Sequence, residues 1–141
     1  MTIKEIQDQI VEDFTFIDEW DEKYAYIIEL GKKLAPLDEK HKTEANIIKG
    51  CQSRVWLNSY LDNDKVIFEA DSDAIIVKGL VSLLVKVLSG HEPSEIVNTP
   101  IDFLDRVGLQ KHLSPTRSNG LAAMLKQMKL HALAYQAKLS Q

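Results

Sequence analysis

The sequence predicts an α+β fold in which a small antiparallel β-sheet packs with helices. Three observations support this: helical spacing of apolar residues towards both ends of the chain, two strand-like segments joined by turn residues, and a nearly all-apolar helix after them. The 141 residues are 45% hydrophobic and 27% charged, which is typical of one globular domain. We therefore expect a single domain over residues 1–141.

Apolar residues near the N-terminus recur at helical spacing: Ile3, Ile6, Ile10 and Phe14. This spacing predicts an amphipathic helix over residues 3–14, and a similar pattern predicts a second helix from Asp18 to Leu34. Gly31, inside the second helix, would allow a neighbouring segment to approach closely. Residues 37–50 have no clear period, so we expect a long ordered loop there.

A β-hairpin is predicted in the middle of the chain. Residues 55–61 and 66–70 are rich in β-branched and aromatic side chains, and they flank an Asp-Asn-Asp-Lys turn sequence. An apolar helix is predicted from residue 74 to residue 88, with Asp71 and Asp73 capping its N-terminus. Because this helix has very few polar residues, we expect it in the centre of the domain.

The C-terminal third is predicted to contain shorter elements and one long helix. A helical turn is expected at residues 93–97, and a short helix is expected to open at Thr99-Pro100 and end near residue 107. Residues 110–120 are rich in capping and helix-breaking residues and are predicted to form a loop. The final helix is expected from residue 121 to about residue 139.

Cys51 is the only cysteine and lies in the sequence Gly-Cys-Gln-Ser-Arg, at the entry to the first strand. Gly50 would supply turn geometry, and Arg54 would place positive charge near a thiolate. A single cysteine excludes an internal disulfide, so covalent chemistry at Cys51 must involve another molecule. Two interpretations stay open from the residues alone: a reactive thiol, or a partly buried inert cysteine.

Composition also argues against several classes of protein. The net charge is −4 and no Lys/Arg-rich block is present, which is untypical of a nucleic-acid binder. No apolar run approaches the roughly 20 residues that span a bilayer, and the N-terminus lacks the features of a signal peptide. The four histidines show no ligand spacing. We expect a cytoplasmic protein that binds neither nucleic acid nor membranes and holds no metal.

Four segments, in this order and spacing, cover most of the chain: residues 22–31, residues 50–56 (Gly-Cys-Gln-Ser-Arg-Val-Trp), residues 71–80 (Asp-Ser-Asp-Ala-Ile-Ile-Val-Lys-Gly-Leu) and residues 112–121 (His-Leu-Ser-Pro-Thr-Arg-Ser-Asn-Gly-Leu). Together they resemble the SufE family of sulfur-acceptor proteins, which serve cysteine desulfurases in iron–sulfur cluster assembly. The resemblance implies the α+β fold shared with IscU-type scaffolds.

The resemblance also implies a function. The chain would take sulfane sulfur from the persulfide of a desulfurase of the SufS or CsdA type onto Cys51, stimulate that enzyme, and pass the sulfur to a downstream acceptor or cluster scaffold. Pyridoxal phosphate would belong to the desulfurase, so this chain would need no cofactor. It would be an accessory sulfur-transfer protein with a cysteine persulfide intermediate rather than a stand-alone enzyme.

Four residues are candidates for binding the partner: Gly50, Arg54, Asp73 and Arg117. In the family, the segment containing Arg117 lies near the cysteine and contacts the desulfurase. Arg117 could instead pair with a local carboxylate or cap a carbonyl, and Arg54 could be an exposed strand charge. Because a persulfide is easily lost to reductants, we expect Cys51 to pack against Val55, Trp56 and the central helix until a partner docks.

Two alternative functions remain at this stage. The chain could be a binding module that activates a desulfurase allosterically, with Cys51 carrying no sulfur. It could also be a cluster scaffold, although scaffolds of the related IscU type present three cysteines and this chain has one.

Overall fold

Seven α-helices and one antiparallel β-hairpin form the architecture of the computed structural model, which describes residues 1–140. In chain order the elements are α1 (Ile3–Thr15), α2 (Trp20–Lys32), β1 (Val55–Asp62), β2 (Lys65–Ser72), α3 (Ile75–Leu88), α4 (Pro93–Asn98), α5 (Phe103–Val107), α6 (Leu109–His112) and α7 (Pro115–Leu139). The predicted α+β class is confirmed. Within the described residues, no helix combines the length and apolar character required to cross a membrane.

The hairpin forms as its turn residues predict. β1 and β2 pair antiparallel from Val55 opposite Ser72 to Asp62 opposite Lys65. The two turn residues Asn63 and Asp64 both adopt positive φ (51° and 64°), the geometry that two-residue hairpin turns require. Each strand extends one or two residues beyond its predicted end.

Helix α3 lies at the centre of the core, as its apolar sequence predicts, and α2 packs directly across it. The crossing is very close, since a Cβ atom on Gly31 would lie 2.8 Å from the backbone nitrogen of Gly79. Only residues without a side chain permit this approach, which confirms the expectation for Gly31. The close crossing holds α3 firmly against α2, and the residues of α3 next to it line the cavity described below.

The predicted capping of α3 by Asp71 and Asp73 is wrong. The N-cap residue is Ala74, and it makes no side-chain capping bond. Asp71 is still within β2, where its carboxylate accepts a hydrogen bond from the Ser72 N–H at 2.8 Å. Asp73 instead bonds to the residue that precedes β1, as described below. Both acids directly precede the helix in sequence, but their carboxylates bond to Lys42, Lys78 and the Arg54 N–H instead of to the N-terminus of α3.

The segment between α2 and β1 is ordered, as predicted, and contains two short 3₁₀ turns (Glu39–His41 and Glu44–Asn46). The Lys42 ammonium reaches one Asp71 carboxylate oxygen at 3.2 Å, and the Lys78 ammonium reaches the other at 3.4 Å. Ile48 donates its N–H to the Val55 carbonyl at 2.8 Å. These contacts hold the segment against the hairpin and so fix the position of the residues that lead into Cys51.

Two helix starts differ from the prediction in the C-terminal third. Thr99 ends α4 rather than opening a helix, because its N–H donates to the Glu95 carbonyl. The next helix, α5, begins at Phe103, where the buried Gln7 side chain of α1 accepts the N–H groups of Asp102 and Phe103.

The predicted loop over residues 110–120 is also wrong. Ser114 is an N-cap whose hydroxyl accepts the Arg117 N–H, and Pro115 occupies the first turn of α7. Helix α7 therefore starts six residues before the predicted residue 121. Arg117 and Gly120 lie within its first two turns rather than in a loop.

Candidate functional site

Cys51 lies on a short loop, residues 50–54, that passes beside α7 before entering β1. Gly50 adopts φ +98°, a backbone conformation that L side chains rarely take, so its predicted turn role is confirmed. A Cβ atom on Gly50 would also lie 3.6 Å from the Ala123 Cβ of α7, within van der Waals contact. The glycine thus sets both the direction of the loop and its closeness to the helix.

The Cys51 thiol contacts the backbone of α7. Its Sγ lies 3.5 Å from the Gly120 carbonyl oxygen, to which the S–H donates a hydrogen bond. A Cβ atom on Gly120 would lie only 3.0 Å from the same sulfur. The absence of a side chain at Gly120 therefore provides the space that the half-buried sulfur occupies.

A cavity of about 330 Å³ opens beside Cys51. Its inner wall is apolar and comes from three elements that meet here: β1, α3 and the start of α7. The apolar lining residues are Val55, Val77, Leu80, Val81, Leu121 and Met124. Its rim is polar and consists of Gln52, Ser53, Ser114, Thr116 and Arg117. The cysteine therefore stands between an apolar interior and a polar opening.

Burial raises the pKa of the Cys51 thiol above its ordinary value. In this conformation the thiol is held in its protonated form, and the positive charge of Arg54 does not produce a thiolate. The suggestion that Arg54 activates Cys51 thus finds no support in this state of the loop. Arg54 is exposed and does not line the cavity.

Arg54 is instead joined to Asp73 through its own backbone groups, which bond to the carboxylate and the backbone N–H of Asp73. The Asp73 carboxylate accepts the Arg54 N–H at 3.0 Å, and the Asp73 N–H donates to the Arg54 carbonyl at 3.2 Å. This reciprocal pair connects the end of the cysteine loop to the start of α3. Asp73 therefore restrains the loop that carries the thiol.

Arg117 lies on the rim of the cavity, in the first turn of α7. Among residues 1–140, no carboxylate lies within ion-pairing distance of its side chain, so the local ion pair considered for it does not form there. The structure brings Gly50, Cys51 and Arg117 to one face of the molecule. Arg54 and Asp73 fix the loop from its other end.

Trp56 does not contribute to the cavity, contrary to expectation. Successive residues of a strand point to opposite faces of the sheet, so Val55 faces the cavity and Trp56 faces the segment between α2 and β1. There the Lys42 ammonium lies 5.6 Å from the centre of a Trp56 ring, a cation–π contact.

Five cavity residues near the start of α7 were not site candidates from the sequence: Ser114, Thr116, Gly120, Leu121 and Met124. The Ser-Asn-Gly sequence at residues 118–120 suggested a break, so the apolar period of the final helix was counted from Leu121 onwards. Counting back by four from Met124 would have placed Gly120 on the same face. The contact between Gly120 and Cys51 joins residues 69 positions apart, so the local sequence does not indicate it.

No group of three or more histidine, cysteine, aspartate or glutamate side chains within residues 1–140 is arranged to hold a metal ion. His112, which belongs to a family-like segment, stacks on the Trp20 ring with a centroid distance of 3.7 Å. Tyr24 donates its hydroxyl to the His112 carbonyl oxygen. These contacts give His112 a structural position beside α2.

The fold and site define an α+β protein with one half-buried cysteine at the mouth of an apolar cavity. A family model described as "SufE: Fe-S metabolism associated domain" matches residues 8–132. The chain therefore belongs to the SufE family, a family associated with iron–sulfur metabolism.

Curated relatives agree with this assignment. An uncharacterised SufE-like protein of Rhizobium meliloti is 45% identical over 132 residues, covering 89% of this chain and 93% of the relative. An uncharacterised SufE-like protein of Synechocystis is 41% identical, covering 91% of this chain and 80% of the relative. SufE-like protein 1 of Arabidopsis thaliana, described as chloroplastic/mitochondrial, is 44% identical over 92% of this chain but only 35% of its own length.

A solved structure shares the fold. The solution structure of a hypothetical protein from Thermus thermophilus superposes with a TM-score of 0.78, covering 94% of this chain and 96% of that protein. At 22% identity this likeness bears on the fold alone.

Proposed function

We propose that this protein accepts sulfane sulfur on Cys51 from a pyridoxal-phosphate-dependent cysteine desulfurase of the SufS or CsdA type, stimulates that enzyme, and passes the sulfur on for iron–sulfur cluster assembly. The observation that carries the proposal is the position of the only thiol, half-buried at the mouth of an apolar cavity beside Gly120. A catalytic cofactor of its own is not required, since the desulfurase supplies the persulfide.

The reaction is a sulfur transfer with no net oxidation. The Cys51 thiolate attacks the outer sulfur of the partner's cysteine persulfide, and a new S–S bond forms on Cys51. The partner's S–S bond breaks, and its electron pair stays on the partner's cysteine as a thiolate. The product is a Cys51 persulfide, and no second cysteine exists in this chain to convert it to an internal disulfide.

The resting site suits such a carrier because it protects the sulfur before and after transfer. A protonated thiol is a poor nucleophile, so Cys51 is unreactive while it faces the apolar wall. Docking would move the short loop outwards, where water and the rim residue Arg117 favour the thiolate. Return of the loop would then place the persulfide in a cavity far larger than one sulfur atom.

The protein's compartment is part of the same proposal. A lone cysteine that must stay free of disulfides suits a reducing compartment, and we therefore place the protein in the cytoplasm. The downstream partner would be a sulfur acceptor or cluster scaffold that approaches the same cavity rim.

Intact-mass spectrometry tests the proposal directly. After incubation with the cognate desulfurase and cysteine, the protein should gain the mass of one sulfur atom, and a reductant should remove it. The Cys51→Ser variant should gain nothing and should lose the stimulation of sulfide release. Full stimulation by Cys51→Ser would refute the carrier role and favour the allosteric module.

A further inference from the structure

Acidic residues are confined to the first 105 positions of the chain, whereas basic residues occur throughout it. All 21 acidic residues precede residue 106, whereas six of the 17 basic residues follow Asp105. Helix α7 contains four of those six and no acidic residue. A protein with a net charge of −4 therefore presents one long helix of positive charge.

The same helix borders an apolar groove of about 440 Å³. Val97 and Ile101 form one side of the groove, near the end of α4, and Leu125, Leu130 and Leu133 of α7 form the other. Leu130 and Leu133 are 45% and 50% exposed, and because they are three positions apart they adjoin each other on one helix face. Exposed apolar side chains that line one groove together offer a partner apolar surface to bury.

Two lysines of α7 line this groove together with the leucines. Lys126 is exposed, and the Lys129 ammonium lies over one edge, where it donates to the Thr99 carbonyl at 3.3 Å. Within residues 1–140, neither lysine has a carboxylate within ion-pairing distance. An apolar floor with unneutralised positive charge at its edge is complementary to a ligand that is apolar on one side and acidic beside it.

We propose that this groove is a docking site for an amphipathic helix with acidic flanks, supplied by a protein partner. Its α7 side runs from Ala122 to Leu133, which corresponds to about 18 Å of helix axis, or roughly three turns. Helix-in-groove recognition uses apolar side chains at this spacing. An anionic membrane fits less well, since lipid-binding surfaces typically gather about four to eight basic residues rather than two.

Docking in the groove would leave Cys51 accessible. The groove and the cysteine cavity share no lining residue. Successive residues of a helix turn by about 100°, so Gly120 and Met124 lie on a different face of α7 from Lys129 and Leu133. The groove partner and the sulfur donor could therefore bind at the same time, and the groove proposal does not depend on chemistry at Cys51.

Two synthetic peptides provide the test. Both would be amphipathic helices of about 18 residues with the same leucine stripe, but one carries glutamates and the other lysines beside that stripe. Fluorescence anisotropy with the full-length protein should show the glutamate peptide binding at least about tenfold more tightly, with an affinity that falls as salt is added. Amide shifts in NMR spectra should change along the groove.

Matched variants locate the interaction. Lys126→Glu should weaken the glutamate peptide about threefold or more, whereas Lys138→Glu, the same charge change elsewhere on α7, should have a smaller effect. Leu133→Ser should also weaken binding without unfolding the protein, because Leu133 is half exposed. Cys51→Ser should bind the peptide normally, which separates this test from that of sulfur transfer.

The proposal is overturned if neither peptide binds, if both bind equally, or if the shifts map outside the groove. Binding to vesicles containing phosphatidylglycerol, without binding to the glutamate peptide, would identify a membrane surface and would also overturn it.

Discussion

The Cys51 sulfur and the Gly120 backbone of α7 are in direct contact, with the thiol donating to the Gly120 carbonyl oxygen at 3.5 Å. A carbonyl oxygen accepts a hydrogen bond from the S–H group but repels the negative charge of a thiolate, so this contact favours the thiol over the thiolate. Burial acts in the same direction. The position and the protonation state of Cys51 are therefore coupled through one glycine.

Substitution of that glycine should release the cysteine. In Gly120→Ala the new Cβ would lie 3.0 Å from the sulfur, which sits on an irregular loop and can move away. Alkylation of Cys51 by iodoacetamide in the free protein should become severalfold faster. Alanine should also favour α7 by about 0.5–1 kcal/mol. This gain opposes the cost of displacing the sulfur, so the free energy of unfolding should change little. The exposed neighbour Asn119→Ala is the control, and equal alkylation rates in all three proteins would contradict the coupling.

The reactivity of Cys51 should also depend on pH in a predictable way. Because burial raises the thiol pKa in the folded protein, the alkylation rate should rise at higher pH than it does for the same protein unfolded in urea. Stopped alkylation assays from about pH 6 to about pH 10 would measure both curves. A folded-state curve that lies at lower pH than the unfolded one would refute the assigned direction.

The same shift has a consequence for stability. A group with a raised pKa in the folded state stabilises the fold fully below its unfolded pKa, and this contribution is lost as the pH rises through the folded pKa. Wild-type stability should therefore fall relative to Cys51→Ser in mildly alkaline solution. Urea titrations of the two proteins at neutral and alkaline pH would reveal the difference.

Asp73 should control the mobility of the cysteine loop. Asp73→Ala removes the carboxylate that accepts the Arg54 N–H and should cost about 1 kcal/mol of unfolding free energy. Hydrogen exchange at residues 50–54 should accelerate, and Cys51 alkylation should accelerate with it. Asp73→Asn keeps an acceptor and should restore most of the protection. Asp62→Ala, at the far end of β1, is the matched control, and an equal effect there would argue against a specific restraint.

Asp71 should contribute to stability through its two lysines. Burial acts to raise its pKa, but the Ser72 N–H and the ammonium groups of Lys42 and Lys78 outweigh that effect and hold the pKa below its ordinary value. Asp71→Asn should cost about 1–3 kcal/mol at neutral pH. A depressed pKa stabilises the fold above the unfolded pKa, so the cost should shrink as the pH falls below about 4. Chemical denaturation at both pH values measures it, and a constant difference would count against the ion cluster.

The parts of the fold that could be predicted from sequence depend on local patterns. The hairpin followed from its turn residues, and α3 followed from its unbroken apolar character. The start of α7 carries the same local signal as Thr99-Pro100, a capping residue followed by proline, but only Ser114-Pro115 opens a helix, so this signal alone does not separate the two positions. Gly120 suggests a helix break in the sequence. In the structure, a glycine is needed there because the Cys51 sulfur, far away in sequence, occupies the space of its missing side chain.

The same limit applied to the candidate site. Cys51 and Gly50 stood out because one is the only cysteine and the other prepares a turn. The contact between Arg54 and Asp73 uses the Asp73 carboxylate but only the backbone of Arg54, and it joins residues 19 positions apart, so the side-chain type of Arg54 gave no signal for it. Arg117 was selected through the family resemblance, while its helical position required the structure.

The near-contact between Gly31 and Gly79 makes the two sides of the cysteine site differ in how firmly they are held. Gly79 lies between Val77 and Leu80 of the cavity wall, so that wall is clamped to α2 at the same turn of helix. We expect a docking protein to displace the opposite side of the site more easily, because there the thiol is carried by the five irregular residues 50–54. Cys51 therefore lies on the side of the site that a docking partner is expected to displace, while the α3 side is expected to stay in place.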